Sequence, residues 1–101
     1  MRKLGLQAFT GKSGREYVMN AYPGDMRFND FIPGVYVISA ADGNTLLVGE
    51  SDNVDVALQK HAQREVFADT GHRVFFYRNA SKSVRESTVA DLVATLAPSL
   101  N

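Results

Sequence analysis

The stretch from Pro33 to His61 constrains the fold more than any other part of the chain, because it predicts a strand, a tight turn, a second strand and a helix in succession. Residues 35–40 are rich in the β-branched and aromatic side chains typical of strands. The dipeptide Asp42-Gly43 suits the positive φ angles of a short hairpin turn, and residues 45–49 return beside the first strand. The rest of the chain must therefore pack on a small α/β unit.

The bounds of this helix and two further elements are predicted in the same way. The helix that follows the hairpin spans residues 54–64, and the polar residues 51–53 can cap its first turn. Residues 72–78 form a third strand with apolar side chains on both faces, so both sides of the sheet should be covered. The last helix opens at residues 83–86, where a serine and a glutamate form a capping-box pattern, and it ends before Pro98.

The first 32 residues predict a β-hairpin that is added to this unit. Residues 4–10 and 15–21 alternate loosely and flank a glycine-containing turn at residues 11–14. This Gly-Lys-Ser-Gly sequence is not a phosphate-binding loop, which needs a longer glycine-spaced frame that opens into a helix. In the linker of residues 26–32 we expect Phe28, Phe31 and Ile32 to be buried under the sheet.

Length and composition limit the class of protein. The 101 residues suit a single domain, made of the hairpin and linker (1–32) and the core (33–101). The chain has no cysteine, which excludes disulfides, thiolate catalysis and cysteine metal sites. No apolar run reaches bilayer length and the N-terminus lacks the apolar segment of a signal peptide, so we expect no membrane association and a cytoplasmic location.

Charge is balanced over the whole chain but not along it. Eleven basic and eleven acidic residues cancel, which gives no overall attraction to nucleic acid. Residues 60–85 hold six lysines and arginines against two acidic residues, an excess of four. This segment is either an ordinary solvated face or a surface that contacts phosphates. The candidate nucleic-acid-binding residues are Lys60, Arg64, Arg73 and Arg78.

One series of residues resembles the GIY-YIG nuclease domain. It consists of Gly34-Val35-Tyr36, then Leu47-Val48-Gly49, then Asn53, the helix and His61, and the Pro-to-Asn ending of the chain also matches. The resemblance covers residues 33–101. It implies a three-stranded antiparallel sheet flanked by helices, an α+β fold to which the N-terminal hairpin is an addition.

The resemblance also implies an activity, the cleavage of phosphodiesters with one divalent metal ion. In that domain a tyrosine of each motif lies near the phosphate, an arginine on the next helix neutralises charge, and a glutamate on a later helix holds the metal. This chain keeps the first tyrosine as Tyr36. The other three positions fall on Leu47, Ala57 and Val89, which cannot move a proton, neutralise a phosphate or bind a metal.

Four remaining side chains are candidates for a rearranged site, and each has a structural explanation as well. Tyr36 is either a functional phenol or an aromatic that packs the sheet. His61 is either near the phosphate or a half-buried helix residue bonded to backbone. Glu50 is either a metal ligand or a solvent-facing loop acid, and Glu86 is either a metal ligand or the last residue of the capping box.

We therefore expect a catalytically inactive GIY-YIG-like domain that binds nucleic acid or a protein, through the cleft around Tyr36, His61 and Arg64 or through the basic segment. It needs no metal and no small-molecule cofactor. One alternative is a divergent nuclease that uses Glu50 or Glu86 with His61 and Mg²⁺ or Mn²⁺. A second is a structural protein that assembles through the edge of the hairpin.

Overall fold

A computed structural model describes residues 3–24, 27–28, 31–63 and 71–101, and for residues 61–63 it describes the backbone alone. The described elements are β1 (Gly5–Thr10), β2 (Glu16–Pro23), β3 (Gly34–Ser39), β4 (Thr45–Ser51), α1 (Val54–Gln63), β5 (Arg73–Arg78) and α2 (Lys82–Leu96). The strands form one antiparallel sheet in the order β1-β2-β5-β3-β4. The α+β class is confirmed.

The sheet has five strands, so the prediction of a three-stranded sheet is wrong. The hairpin itself lies where the alternating pattern placed it, but β2 is long enough to pair on both sides. Its first part pairs with β1, and its last residues pair with β5 in a register that sets Asn20 opposite Phe76 and Tyr22 opposite Val74. The hairpin is therefore part of the central sheet.

The two tripeptides at 34–36 and 47–49 lie opposite each other on β3 and β4, with Tyr36 paired to Gly49. The strand continues past Gly49 to Ser51, so the prediction that it ends at this glycine is wrong. The glycine is needed because the tyrosine ring lies across it. A Cβ at position 49 would be 2.6 Å from Cζ of Tyr36, much closer than van der Waals contact.

Side chains alternate between two cores on the two faces of the sheet. The α2-side cluster contains Phe9, Tyr17, Met19, Ala21, Val35, Val37, Val48, Phe75 and Leu92. The α1-side cluster contains Tyr22, Phe28, Tyr36, Ile38, Val54, Leu58, Val74 and Phe76. The side chains of β3 and β5 alternate between these two clusters, and the prediction that both faces are covered is confirmed.

The linker buries less than predicted. Phe28 is buried in the α1-side cluster, where its ring contacts those of Tyr22 and Phe76. Ile32 is partly buried there, and its carbonyl accepts from the N–H of Val54 at 3.0 Å. Phe31 is 73% exposed, so the prediction that it is buried is wrong. Anchoring Ile32 to the start of α1 leaves the neighbouring ring in solvent.

The last helix begins two residues earlier than predicted. Ser81 is its N-cap, and its Oγ accepts from the N–H of Val84 at 3.4 Å. The prediction of a capping box at 83–86 is therefore wrong. The side chain of Asn79 accepts from the N–H of Ser81 at 2.8 Å, and Ser81, not Ser83, caps the helix. The helix ends as predicted, with Ala97 at a left-handed φ of 46° before Pro98. Neither described helix is long and apolar enough to cross a membrane.

The two edges of the sheet differ. The edge at β4 is covered by residues 99–101: the N–H groups of Ser99 and Leu100 donate to Thr45 and Leu46 at 3.3 and 2.8 Å. The side-chain amide of Asn101 accepts from the N–H of Val48 and donates to its carbonyl, both at 2.8 Å. This amide bonds to β4 as a neighbouring strand would. The other edge is β1.

Substituting Gly49 by alanine should destabilise the fold, because the added methyl group and the Tyr36 ring occupy the same space. We expect a loss of about 1–3 kcal/mol in the free energy of unfolding, the usual cost of overpacking, measured by urea denaturation. In the double variant with Tyr36→Leu, the loss from Gly49→Ala should be smaller, since the ring atoms nearest the methyl are gone. A Gly49→Ala protein as stable as the parent would contradict this account.

Candidate functional site

The structure brings Tyr36 together with two of the three positions that the resemblance compares with catalytic residues. Tyr36 belongs to the α1-side cluster, and Leu47 and Ala57 pack against the same cluster. Val89 packs against the α2-side cluster instead, on the opposite face of the sheet. Counting along the sequence gave the position of Val89 but not its face. The region around Tyr36 is an apolar core and Val89 takes no part in it.

Burial also changes the chemistry of Tyr36. The side chain is 4% exposed. Loss of hydration raises its pKa to about 12, with a further contribution from the negative charge of Glu50. A phenol with so high a pKa stays protonated at neutral pH. It is therefore a poor base for activating water.

Glu50 is not a loop residue, and that prediction is wrong. It lies in β4 opposite Val35, and its carboxylate is bonded to Arg85 of α2 at 3.2 Å. The strand continues past Gly49 because residues 49–51 pair with the start of β3, which places Glu50 inside the sheet. Its carboxylate is engaged on the α2 side, across the sheet from the core around Tyr36. Glu86 lies on α2 and is exposed.

Arg85 is the most buried charged residue described, at 1% exposure. Its Nε bonds to Glu50, its Nη2 forms an ion pair with Asp52, and its Nη1 donates to the carbonyl of Asn79 at 3.1 Å. The side chain thus ties α2 to the end of β4 and to the turn after β5. With two carboxylates beside it, the guanidinium is neutralised and is not an anion site.

Sequence reasoning missed this cluster, although a signal was present. Arg85 precedes Val89 by four residues and Leu92 by seven, so it lies on the core-facing stripe of α2. A charged residue on such a stripe must find partners inside the protein. Two acidic residues follow the second tripeptide at positions 50 and 52, and these are the partners.

Among the described residues, the two arginines predicted to bind nucleic acid on β5 do not lie on one surface. Arg73 and Arg78 are exposed at the two ends of β5. They are about 17 Å apart along the strand, and the odd spacing puts them on opposite faces. Lys60 is exposed on α1. Arg64 and the side chain of His61 lie outside the described residues, so their predicted roles stay predictions.

The Gly-Lys-Ser-Gly turn does hold an oxyanion, but one from its own chain. The N–H and Oγ of Ser13 donate to the two carboxylate oxygens of Asp91 on α2, at 2.8 and 2.7 Å. Tyr17 donates to the same carboxylate at 2.8 Å, and the N–H of Lys12 donates to the Asp91 carbonyl at 3.1 Å. A side chain at Gly11 would collide with this carboxylate.

These bonds stabilise the charged form of Asp91. The Ser13 hydroxyl contributes most, followed by the Ser13 amide and Tyr17, and together they lower the pKa of the carboxyl below its usual range. An open groove of about 440 Å³ lies beside it, between the hairpin turn and α2. Ser13 and Tyr17 already bond to the carboxylate that lines this groove. The carboxylate therefore serves a structural contact.

No group of three histidine, aspartate or glutamate side chains that could hold a metal ion occurs among the described residues. Comparisons of the chain with protein-family models, with curated proteins and with solved structures find no match.

Replacing Arg85 by methionine should destabilise the protein strongly, because Glu50 would keep a partly buried charge with no cation beside it. We expect a loss of about 3 kcal/mol in the free energy of unfolding, near the low end for a broken buried pair since Asp52 remains in solvent. Arg78→Met removes an exposed arginine and is the control, with a change within about 0.5 kcal/mol. Equal urea midpoints for the two variants would refute the structural role.

Asp91→Asn should flatten the dependence of stability on pH in acid. A carboxyl whose pKa is lower in the folded state contributes stability above the unfolded pKa of about 3.9 and loses it as pH falls through the folded pKa. The parent should therefore lose more stability than Asp91→Asn between neutral pH and pH values below that point, measured by urea denaturation in a pH series. Ser13→Ala, which removes the strongest donor, should give an intermediate slope. Parallel slopes for all three proteins would contradict the contact.

Proposed function

We propose that this chain is a catalytically inactive GIY-YIG-like module that binds another protein. The observation that carries the proposal is the state of the retained tyrosine: Tyr36 is 4% exposed, lies across Gly49, and packs with Leu47 and Ala57 in an apolar core. A substrate phosphate needs an open, polar site with a group that activates water. The place where the resemblance would put that site is filled by side chains.

Strand order supports the GIY-YIG-like part of the proposal. β3 lies between its hairpin partner β4 and the later strand β5, all antiparallel, and α1 follows β4 directly. The resemblance implies three antiparallel strands with a helix after the hairpin, and β3, β4, β5 and α1 are consistent with it, with β1 and β2 extending the sheet at one side. The two tripeptides face each other in that core.

A rearranged nuclease is less well supported. Its candidate carboxylates are on the α2 side of the sheet, where Arg85 holds Glu50 and where Glu86 points to solvent. Its candidate histidine, His61, is on α1, which packs on the other face. The sheet therefore lies between these carboxylates and the helix that carries the histidine.

The distribution of charge favours a protein partner over nucleic acid. Binding to a phosphate backbone draws on several cations along one surface. Here Arg85 is neutralised, Arg27 is bonded to Asp55 at 2.8 Å, and the exposed arginines of β5 are at opposite ends. By contrast, the edge strand β1 carries no charged residue, and Leu6 and Val18 beside that edge are exposed apolar side chains.

Purified protein should neither cut nor bind DNA. We expect plasmid, branched and single-stranded DNA to remain intact with Mg²⁺ or Mn²⁺, because the phenol of Tyr36 stays protonated and the carboxylate of Glu50 is already bonded to Arg85. Titration at low salt should show no binding, since the exposed arginines of β5 lie at its two ends and the described Arg27 and Arg85 are paired with carboxylates. Cleavage that disappears in His61→Ala, Glu50→Gln or Glu86→Gln would overturn the proposal. Salt-dependent binding that weakens in an Arg73→Gln or Arg78→Gln variant would reassign the module to nucleic acid.

A further inference from the structure

We propose that β1 pairs antiparallel with β1 of a second copy of this chain, around a two-fold axis at Gln7, so that two five-stranded sheets become continuous. This inference rests on the proposed role as a protein-binding module and names the partner. It starts from the difference between the two edges of the sheet. Residues 99–101 cover β4 with backbone and side-chain hydrogen bonds, whereas β1 is the last strand at the other side.

The pattern of hydrogen bonds shows which groups of β1 face outward. The N–H of Gly11 donates to Arg15 at 2.9 Å, which marks that pair as a hydrogen-bonded pair of the hairpin. Such pairs alternate along an antiparallel ladder, so the N–H and C=O groups of Leu6 and Ala8 point away from β2. Thr10 follows the same parity, and its carbonyl accepts from Thr95 of α2 at 2.8 Å instead of from β2. That contact limits the open edge to the part of β1 before Thr10.

A two-fold axis at Gln7 matches this parity. It sets Leu6 opposite Ala8 of the second copy, and Ala8 opposite Leu6, so that both pairs exchange two backbone hydrogen bonds. The two Gln7 side chains then meet at the axis on the α2 side, where their amides can bond to each other. Every outward-facing backbone group of Leu6 and Ala8 gains a partner in this register.

Side chains on the α1 side of the hairpin fit the same arrangement. Leu6 is 65% exposed and Val18 is 54% exposed, and Val18 is the direct neighbour of Ala8 on β2. Across the axis, Leu6 of one copy would lie over Ala8 and Val18 of the other, twice by symmetry. Paired strands in this register bury apolar surface that the single chain leaves in water.

Charge selects a second copy over a foreign strand. Natural edge strands are commonly protected by lysine or other charged residues that oppose self-pairing. β1 has the sequence GLQAFT and no ionisable side chain, so nothing along it repels an identical strand. Because the β4 edge is covered, pairing through β1 closes at two copies and does not continue into a fibre. The contact is short, which predicts a weak dimer with a dissociation constant in the micromolar range.

Sedimentation velocity over roughly a hundredfold range of protein concentration tests the inference, since a weak dimer follows mass action. The parent should pass from monomer to dimer. Leu6→Lys should weaken association at least about tenfold, because a charge replaces the leucine in the contact. Ala8→Pro should do the same, since it removes an outward N–H without touching the bonds to β2. Val56→Lys makes the same kind of substitution at an exposed apolar residue of α1 and should leave association unchanged.

Amide hydrogen exchange of the parent protein is a second measurement of the pairing, and it does not require that the variants fold. The N–H groups of Leu6 and Ala8 should exchange fast in dilute parent protein and slowly at the highest concentration. A parent that stays monomeric overturns the self-pairing, as does association lost in Val56→Lys but kept in Leu6→Lys. Protection of both amides without a rise in mass would place β1 against its own chain and would also overturn it. The DNA assays decide the proposed function separately.

Discussion

Complete burial of β3 is the constraint on which the rest of the structure depends. All six of its residues are buried, with β4 and β5 on its two sides and a helix over each face. A strand in that position must be apolar on both faces and must have a partner for every backbone group. These demands explain why the neighbouring strands are apolar and why Gly49 is needed beside the ring of Tyr36. They also explain why the one polar aromatic of β3 is a packing residue with a neutral phenol.

The hairpins, both helices and the two-faced core could be predicted from local pattern, because alternation in residues 35–38 and 74–77 reports directly on which side chains face which layer. The strand that pairs with the N-terminal hairpin could not be predicted, because the sequence of an edge strand does not specify which other strand it pairs with. The start of α2 was ambiguous for a related reason. Ser81 and Ser83 are equally good caps by type, and the contact between Asn79 and Ser81 decides between them.

Counting along the chain located neighbouring positions only within one local unit. Positions counted from the tripeptides, Leu47 and Ala57, lie in the core around Tyr36 because they belong to the same local hairpin-and-helix unit. Val89 was counted from the other end of the chain and packs on the opposite face. The buried role of Arg85 depends on acidic residues more than thirty positions away, a distance over which local pattern carries no information.

Two charged residues of α2 fasten the helix, one in its first turn and one past its middle. Arg85 holds it to β4, and Asp91 holds it to the hairpin turn, so one helix joins the N-terminal hairpin to the far side of the sheet. Groups of this kind carry catalysis in an enzyme when they face an open cleft. Here each carboxylate has a described donor, and each serves to fix one element on another.

The side-chain amide of Asn101 has a consequence for how copies of the chain could add to one another. Its two hydrogen bonds occupy the N–H and C=O of Val48 that a further strand would need. A molecule with this amide in place has one surface for strand addition and terminates growth after one event. If residues 99–101 left β4, the same sheet would present a growth point on each flank, and a discrete pair would give way to linear polymerisation.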